Sequence, residues 1–298
     1  MFTMFAAQFC VANNLYINRY TYKQEVMNRK VLLFVFGIIC SSILYAQEVL
    51  DNAAFYRAEY IHLYKKDSLK TSFYKDVFYL DICKSGHSYF YSRANQYKDS
   101  ISTALKHEGI NGLELAYRTK SLPNGVNWYI DKRFVNCEYE YTNKLVEYKK
   151  YTATLELPEW EIVGDTITIN GFLCKEAHAM IGGRKWIAWY TEEIQINDGP
   201  WLLWGLPGLI IHAKDSNNYF KFSCVAVKNL TEPYNVFLPG DNQLVTEISQ
   251  KEMLQQEELS ATDPLAFASS MNGVAKIVTG EKVSKRKYIP MILLQKKK

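Results

Sequence analysis

The chain has 298 residues, a net charge of +4, and 22% charged against 48% hydrophobic residues, an ordinary globular composition that excludes a disordered or fibrous protein. Its 22 Tyr, 15 Phe and 6 Trp are the departure, and such residues suit a pleated, half-buried surface, so β structure is expected. The weak, dispersed basicity lacks the footprint of a nucleic-acid binder, and the length fits one large β domain or two small ones.

Arg29 and Lys30 precede the apolar run Val31–Leu44, which ends near the small residue Ala46. A basic start, an apolar core and a small terminal residue describe a secretory signal peptide over residues 27–46, cleaved after Ala46. The run falls short of the roughly 20 apolar residues a comfortable span needs, which leaves a membrane anchor as the weaker alternative. Residues 1–26 then lie upstream of a complete signal, either as an extension or because Met27 is the true initiator. The remaining chain, Gln47–Lys298, has 252 residues and a net charge of +1. Export would place Cys83, Cys137, Cys174 and Cys224 where disulfides persist. Four cysteines allow three connectivities. Cys174 and Cys224 both sit in strand-like runs, so pairing across a sheet is conceivable; four buried thiols are the alternative.

Phe55–Tyr64 alternates as a strand with one wet face. Asp76–Ile82 and Ser88–Ser92 read as a hairpin around Gly86. Arg93–Glu108 is more polar and reads as a helix ending at Gly109 or as an excursion. Asn124-Gly125 signals a turn before Val126–Ile130, and Lys144–Leu157 is extended up to Pro158. Trp160–Val163, Thr166–Gly171 and Phe172–Met180 follow as strand material. Gly182-Gly183 turns the chain into Arg184–Thr191, completing an antiparallel meander. Asn217-Asn218 turns it again into Tyr219–Val227. Thr246–Glu258 has helical spacing with Thr246 as N-cap, and a second short helix is expected over Asp263–Met271. The expected fold is therefore β-rich α+β: a curved antiparallel sheet or open half-barrel with helices packed late, in one domain over 47–298.

Between the meander and the last strand lies Asp198–Ile211, Asp-Gly-Pro-Trp-Leu-Leu-Trp-Gly-Leu-Pro-Gly-Leu-Ile-Ile, with one charge at its start. Leaving each Trp or Leu in water forfeits roughly 1.5–3 kcal/mol, so this stretch reads as a buried corner. Gly205 is suited to a positive φ after a short turn or helix through Trp201–Trp204. Pro207-Gly208 fits the centre of a type II turn, and Leu209 and Ile210 lead into a strand. Trp201, Trp204 and Leu206 are also candidates for the wall of an apolar pocket.

Ile169–Ala177, Trp189–Ile194, and Gly199-Pro200 running into Gly205–Ile210 occur in an order and spacing that resemble the GLPGLI family of exported Bacteroidetes proteins. The hexapeptide Gly205-Leu206-Pro207-Gly208-Leu209-Ile210 is the namesake motif. The resemblance extends through Asp76–Ser92, Trp160 and Tyr288–Pro290, with Gln195 standing where the family turns with proline. It implies a signal-peptide-bearing envelope protein, periplasmic or outer-membrane-associated. It implies no particular activity, cofactor or catalytic residue.

The five histidines are dispersed, and no metal-binding helix, nucleophile elbow or phosphate loop is present. Glu192 and Glu193 are adjacent on an extended stretch, so they point to opposite faces and do not share a site. Lys175, Glu176 and Arg184 read as solvated strand faces. These residues point to no enzyme, metal or cofactor. Two functions are expected from different classes: a carrier holding a lipid or other apolar ligand in the curve of the sheet, or an envelope interaction protein with a packed core and a protein partner. Trp160, Trp186, Trp189 and Phe172 are the candidate lining for the first. A large, sparsely polar cavity would favour the carrier, and a filled interior the interaction protein.

Overall fold

A computed structural model describes residues 53–236, 238, 244–270 and 287–293. The expected extension 1–26 and signal peptide 27–46 lie outside the described residues.

The elements run β1 (Ala54–Tyr64), β2 (Tyr74–Cys83), β3 (His87–Ser92), α1 (Arg93–His107), α2 (Gly112–Thr119), β4 (Trp128–Arg133), β5 (Glu138–Lys144) and β6 (Tyr148–Thr154). They continue as β7 (Glu161–Ile169), β8 (Phe172–Ile181), β9 (Arg184–Thr191), β10 (Leu209–Asp215), β11 (Phe220–Tyr234), β12 (Val245–Glu247), α3 (Gln250–Thr262) and α4 (Pro264–Ser270). The twelve strands form one sheet in the order β12-β6-β5-β4-β3-β2-β1-β11-β10-β9-β8-β7. Every neighbouring pair is antiparallel except β12 with β6. The end strands β12 and β7 do not pair, so the sheet is open, as expected.

Alternation decides which side of the sheet is buried. Ala58, Leu80, Phe90, Ile130, Tyr141 and Tyr151 are cross-strand partners in one row, all buried on the inner face. One residue along, Arg57, Asp81, Tyr89, Asp131 and Glu140 form a polar row on the outer face. The inner rings meet one another across the sheet. Trp186 packs on Trp201 at 5.2 Å and on Phe222 at 6.0 Å, and Phe78 on Trp128 at 5.0 Å. Trp128 reaches Tyr141 at 6.1 Å, and Tyr141 reaches Tyr151 at 5.3 Å.

Lys132 in β4 is bonded to Asp198, just beyond β9. Asp198 O in turn accepts Ile210 N of β10 at 3.1 Å, and five strand spacings separate β4 from β10, about 24 Å on a flat sheet. The sheet therefore curls, and the 192–208 connection crosses its inner side. From the other flank α3 lies along β5, with Gln250 on the Tyr139 hydroxyl at 3.2 Å and Glu257 on Tyr141 and Asn143 at 2.7 and 2.6 Å. Met253 fills the space beneath it.

The two late helices are present, but α3 starts after Ser249, whose hydroxyl accepts from the Glu252 amide at 3.2 Å. Thr246, the expected N-cap, instead pairs with Lys149 in the β12–β6 ladder. Arg93–His107 is a helix capped by Ser92, so two of the four helices among the described residues lie between β3 and β4. Gly125 is not at a left-handed turn. It is glycine because a Cβ there would overlap the Ser92 hydroxyl, while its amide donates to Asn95 Oδ1 at 3.2 Å. Among the described residues no helix is long and apolar enough to cross a membrane.

Candidate functional site

The corner Asp198–Ile211 is buried, as its composition demands. Trp201, Leu203, Leu206, Leu209, Ile210 and Ile211 are each no more than 1% exposed. The chain turns with Leu203 N donating to Pro200 O at 3.1 Å, and Gly205 N then closes on Asn197 O at 3.1 Å. Gly205 takes φ +86°, as expected, and Trp201 itself is held at φ +56°. A bulky residue occupies that region only where its surroundings compel it. Here the compulsion is the packing of its ring on Trp186.

Pro207-Gly208 is not the expected type II turn. Gly208 N donates to Leu206 O at 2.7 Å, and Gly208 sits at φ +151°. Glycine is required because any Cβ would run into the Thr191 carbonyl. Pro207 is the exposed member of the hexapeptide.

Two devices fasten the corner to the far flank. The first is ionic: Lys132, fully buried, donates to Asp198 Oδ1 and to Gly199 O at 2.8 Å, and the same carboxylate oxygen accepts Gly199 N at 2.7 Å. Burial pushes the Lys132 ammonium below its ordinary range, and Asp198 opposes that shift. The second is Trp204, whose indole donates to Glu156 O at 3.1 Å while its carbonyl accepts from Trp160 Nε1 at 2.7 Å. Its ring lies 5.1 Å from Phe134.

Between these flanks a groove of about 780 Å³ remains. Tyr139, Leu155, Ile181, Leu202 and Ile292 are the buried residues at its base. Leu157, Met180 and Leu293 project from the sides, 65%, 65% and 40% exposed. The charged residues lining it are Glu156 and Glu159. Of the corner, Leu202 reaches this space, whereas the candidate pocket residues Trp201 and Leu206 belong to the packed core and Trp204 is spent on its two backbone bonds.

The groove's outer lip is the 290–293 segment, which lies more than a hundred residues along the chain from the β8–β9 turn it meets. Leu293 N donates to Gly182 O at 2.8 Å, and Arg184 donates to Pro290 O and Met291 O. Arg184 is therefore not a solvated strand residue. It is 6% exposed and its guanidinium lies 3.2 Å from Asp215, which also accepts Tyr219 N and Phe220 N at 2.6 and 2.8 Å. Lys175 and Glu192 do form a surface pair at 2.8 Å, and Glu193 accepts Leu173 N at 2.9 Å, so the adjacent glutamates act apart.

All four cysteines in the described residues stand as thiols. Cys83, Cys174 and Cys224 are buried, and Cys137 is exposed at φ +53° in the β4–β5 turn. Burial pushes Cys83 and Cys224 up to about 12 and Cys174 up to about 11. Cys174 lies close enough to Cys224 to act on it electrostatically, and the β7–β8 tip folds over so that Asn170 Nδ2 donates to Cys224 O at 2.7 Å. His62, one of the five dispersed histidines, has no local sequence signal that sets it apart. It is 1% exposed, stacked 4.4 Å from Phe222 and 4.8 Å from Tyr64, with no hydrogen-bond partner for either nitrogen among the described residues. Burial alone lowers it to about 3. No group of three or more His, Cys, Asp or Glu among the described residues is placed to hold a metal ion.

Residues 175–212, from β8 through the corner into β10, match a family described as a protein of unknown function, Porph_ging. No curated protein matches the chain. Among solved structures it is similar to PNGF-II in a C2 space group, with TM-score 0.47 and 15% identity over 68% of this chain and 33% of that one. The same protein in a P21 space group gives TM-score 0.45 and 14% identity over the same shares. The chain thus spans about a third of the length of those structures. The family similarity falls on Lys175–His212, the stretch that builds the corner.

Proposed function

We propose that this chain is an exported cell-envelope protein of the GLPGLI type that acts by holding a protein partner in the groove between the 153–159 segment and the β8–β9 turn, without catalysis. One observation carries the reading. The inner face of the sheet is packed ring on ring, while the groove presents exposed Leu157, Met180 and Leu293 beside the carboxylates of Glu156 and Glu159. Exposed large apolar side chains gathered at one concave place mark an interaction site rather than ordinary surface. The basic–apolar–small pattern over residues 27–46 supports export.

A second reading, an apolar small molecule or lipid chain in the same groove, is favoured by its volume, which falls within the range of ligand sites of about 300–1,000 Å³. The two are separated by placing a photo-crosslinking amino acid at position 157 and irradiating intact cells. A discrete protein adduct supports the partner reading. Adducts of lipid mass alone support the second. Labelling by water alone at 157 removes both.

A further inference from the structure

The outer face of the sheet carries, at the end where β1 meets β2, a concentration of lysines with nothing to balance them. Lys75 and Lys221 flank Leu63 in register on β2 and β11, and Lys214 on β10 is the next partner of Lys221. Lys65, Lys66 and Lys70 extend the group through the β1–β2 connection, which is tied to the β10–β11 turn by Lys65 N donating to Tyr219 O at 2.9 Å. None of these six makes an ion pair among the described residues. The nearby carboxylates are already committed. Asp67 caps Leu69 N at 3.0 Å, Asp76 accepts Val77 N and Val126 N at 2.8 and 2.7 Å, and Asp215 holds Arg184; all three are buried.

Apolar side chains stand among these charges. Lys65 and Lys221 lie 5.2 and 5.0 Å from the centre of the Phe73 ring, while at the rim Tyr74, stacked on Tyr64 of the inner row, carries Lys66 at 4.3 Å. Phe73 and Tyr74 are 38% and 44% exposed, and Leu69 projects from the connection at 73%. The lysines depress one another's neighbours as well: Lys214 and Lys221 add to burial in lowering His212. Six like charges on a chain whose overall charge is small repel one another, and an anionic surface laid against them relieves that repulsion.

We propose that this face docks the protein onto a membrane surface bearing anionic headgroups, with Leu69 and Phe73 entering the interfacial layer and the lysines meeting the phosphates. A soluble polyanion would satisfy the lysines but would leave the apolar tip in water. A bilayer interface satisfies both, because basic side chains are drawn to anionic headgroups and aromatic and aliphatic ones to the boundary beneath them. This site is separate from the groove and does not depend on what the groove binds.

The test is co-sedimentation of the full chain with phosphatidylcholine vesicles with and without phosphatidylglycerol, compared with the charge-reversed variant Lys66→Glu/Lys75→Glu/Lys221→Glu and with Leu69→Ser/Phe73→Ser. The apolar stretch 31–44 is present in every chain compared, so the difference between variants reads the patch alone. Expected is a partition preference for anionic vesicles that weakens with salt, falls at least about tenfold in the charge-reversed chain and falls several-fold in the apolar variant. Equal partitioning of parent and charge-reversed chains overturns the proposal. So does binding to heparin or polyphosphate with no preference for anionic vesicles. Circular dichroism of each variant confirms that the exposed substitutions leave the sheet folded.

Discussion

Lys132 on β4 and Asp198 at the head of the corner are 66 residues apart and form an ion pair with neither side chain more than 3% exposed. The pair ties the inward-crossing connection to the opposite flank of the curled sheet. Taking one partner away leaves a charge in the interior, which costs about 3–5 kcal/mol. Lys132→Met and Asp198→Leu are each expected to lower the urea midpoint strongly, and the double variant to recover much of the loss. Additive losses in that double-mutant cycle would show that the two side chains do not act as a unit.

Gly208 makes a sharper demand. Its Cβ position is occupied by the Thr191 backbone, which cannot move without opening the β9–β10 ladder. Gly208→Ala is expected to destabilise by several kcal/mol, at the upper end of single substitutions, above about 3. Gly164, with nothing within 4 Å of its Cβ and no left-handed φ, is the control, and Gly164→Ala should be near neutral. Thermal melts of the two variants decide it, and equal melting temperatures would mean the chain accommodates the added methyl.

The strands and turns that depend on local chemistry were legible in the sequence. Gly182-Gly183 and Asn218 all take positive φ where the turns were expected, and the alternation of Tyr219–Val227 marks β11. β5 was missed. The turn between Lys144 and Tyr148 is Leu-Val-Glu, with no Gly, Pro or Asn to break the run, so the extended pattern from Lys144 onwards does not mark where β5 ends and β6 begins. Arg184 was misread for a different reason: what buries it is Pro290–Met291, more than a hundred residues later. The corner's burial could be read from its own side chains, whereas its cation could not. Lys132 reaches Asp198 only because the sheet curls through six strands, and curvature leaves no mark on any one segment. The groove, built from six separate stretches, leaves no mark in the sequence for the same reason.

His62 gives the fold an acid-sensitive point. Its folded pKa, about 3, lies below its ordinary 6.5, so the unfolded chain binds a proton that the folded chain excludes. Its contribution is complete above pH 6.5 and is lost as pH falls towards 3, by at most about 1.4 kcal/mol per pH unit. Glu257 works in the opposite sense. Burial raises it, so its contribution is complete below its ordinary 4.5 and is lost as pH rises through the folded value. His62→Phe, which keeps an aromatic ring in the stack, removes the first effect alone. Its stability should fall less than that of the parent between pH 6.5 and 4.5, as read from urea midpoints across pH. Parallel curves would mean His62 is not neutral in the fold.

The thiols offer a direct view of burial. Cys137 is exposed, whereas Cys83, Cys174 and Cys224 are buried and raised to about 11–12, which suppresses the reactive thiolate. Brief alkylation of the native protein at pH 8, followed by peptide mapping, should modify Cys137 and spare the other three. Denaturation should then open all of them to a second, mass-distinguishable reagent. Protein prepared from an oxidising compartment provides the contrast. If Cys174 and Cys224 resist the second reagent until a reductant is added, while Cys83 does not, the closure of the β7–β8 tip over β11 is covalent there. In that case reduction should also lower the melting temperature, because the bond would clamp a hairpin held to β11 through Asn170.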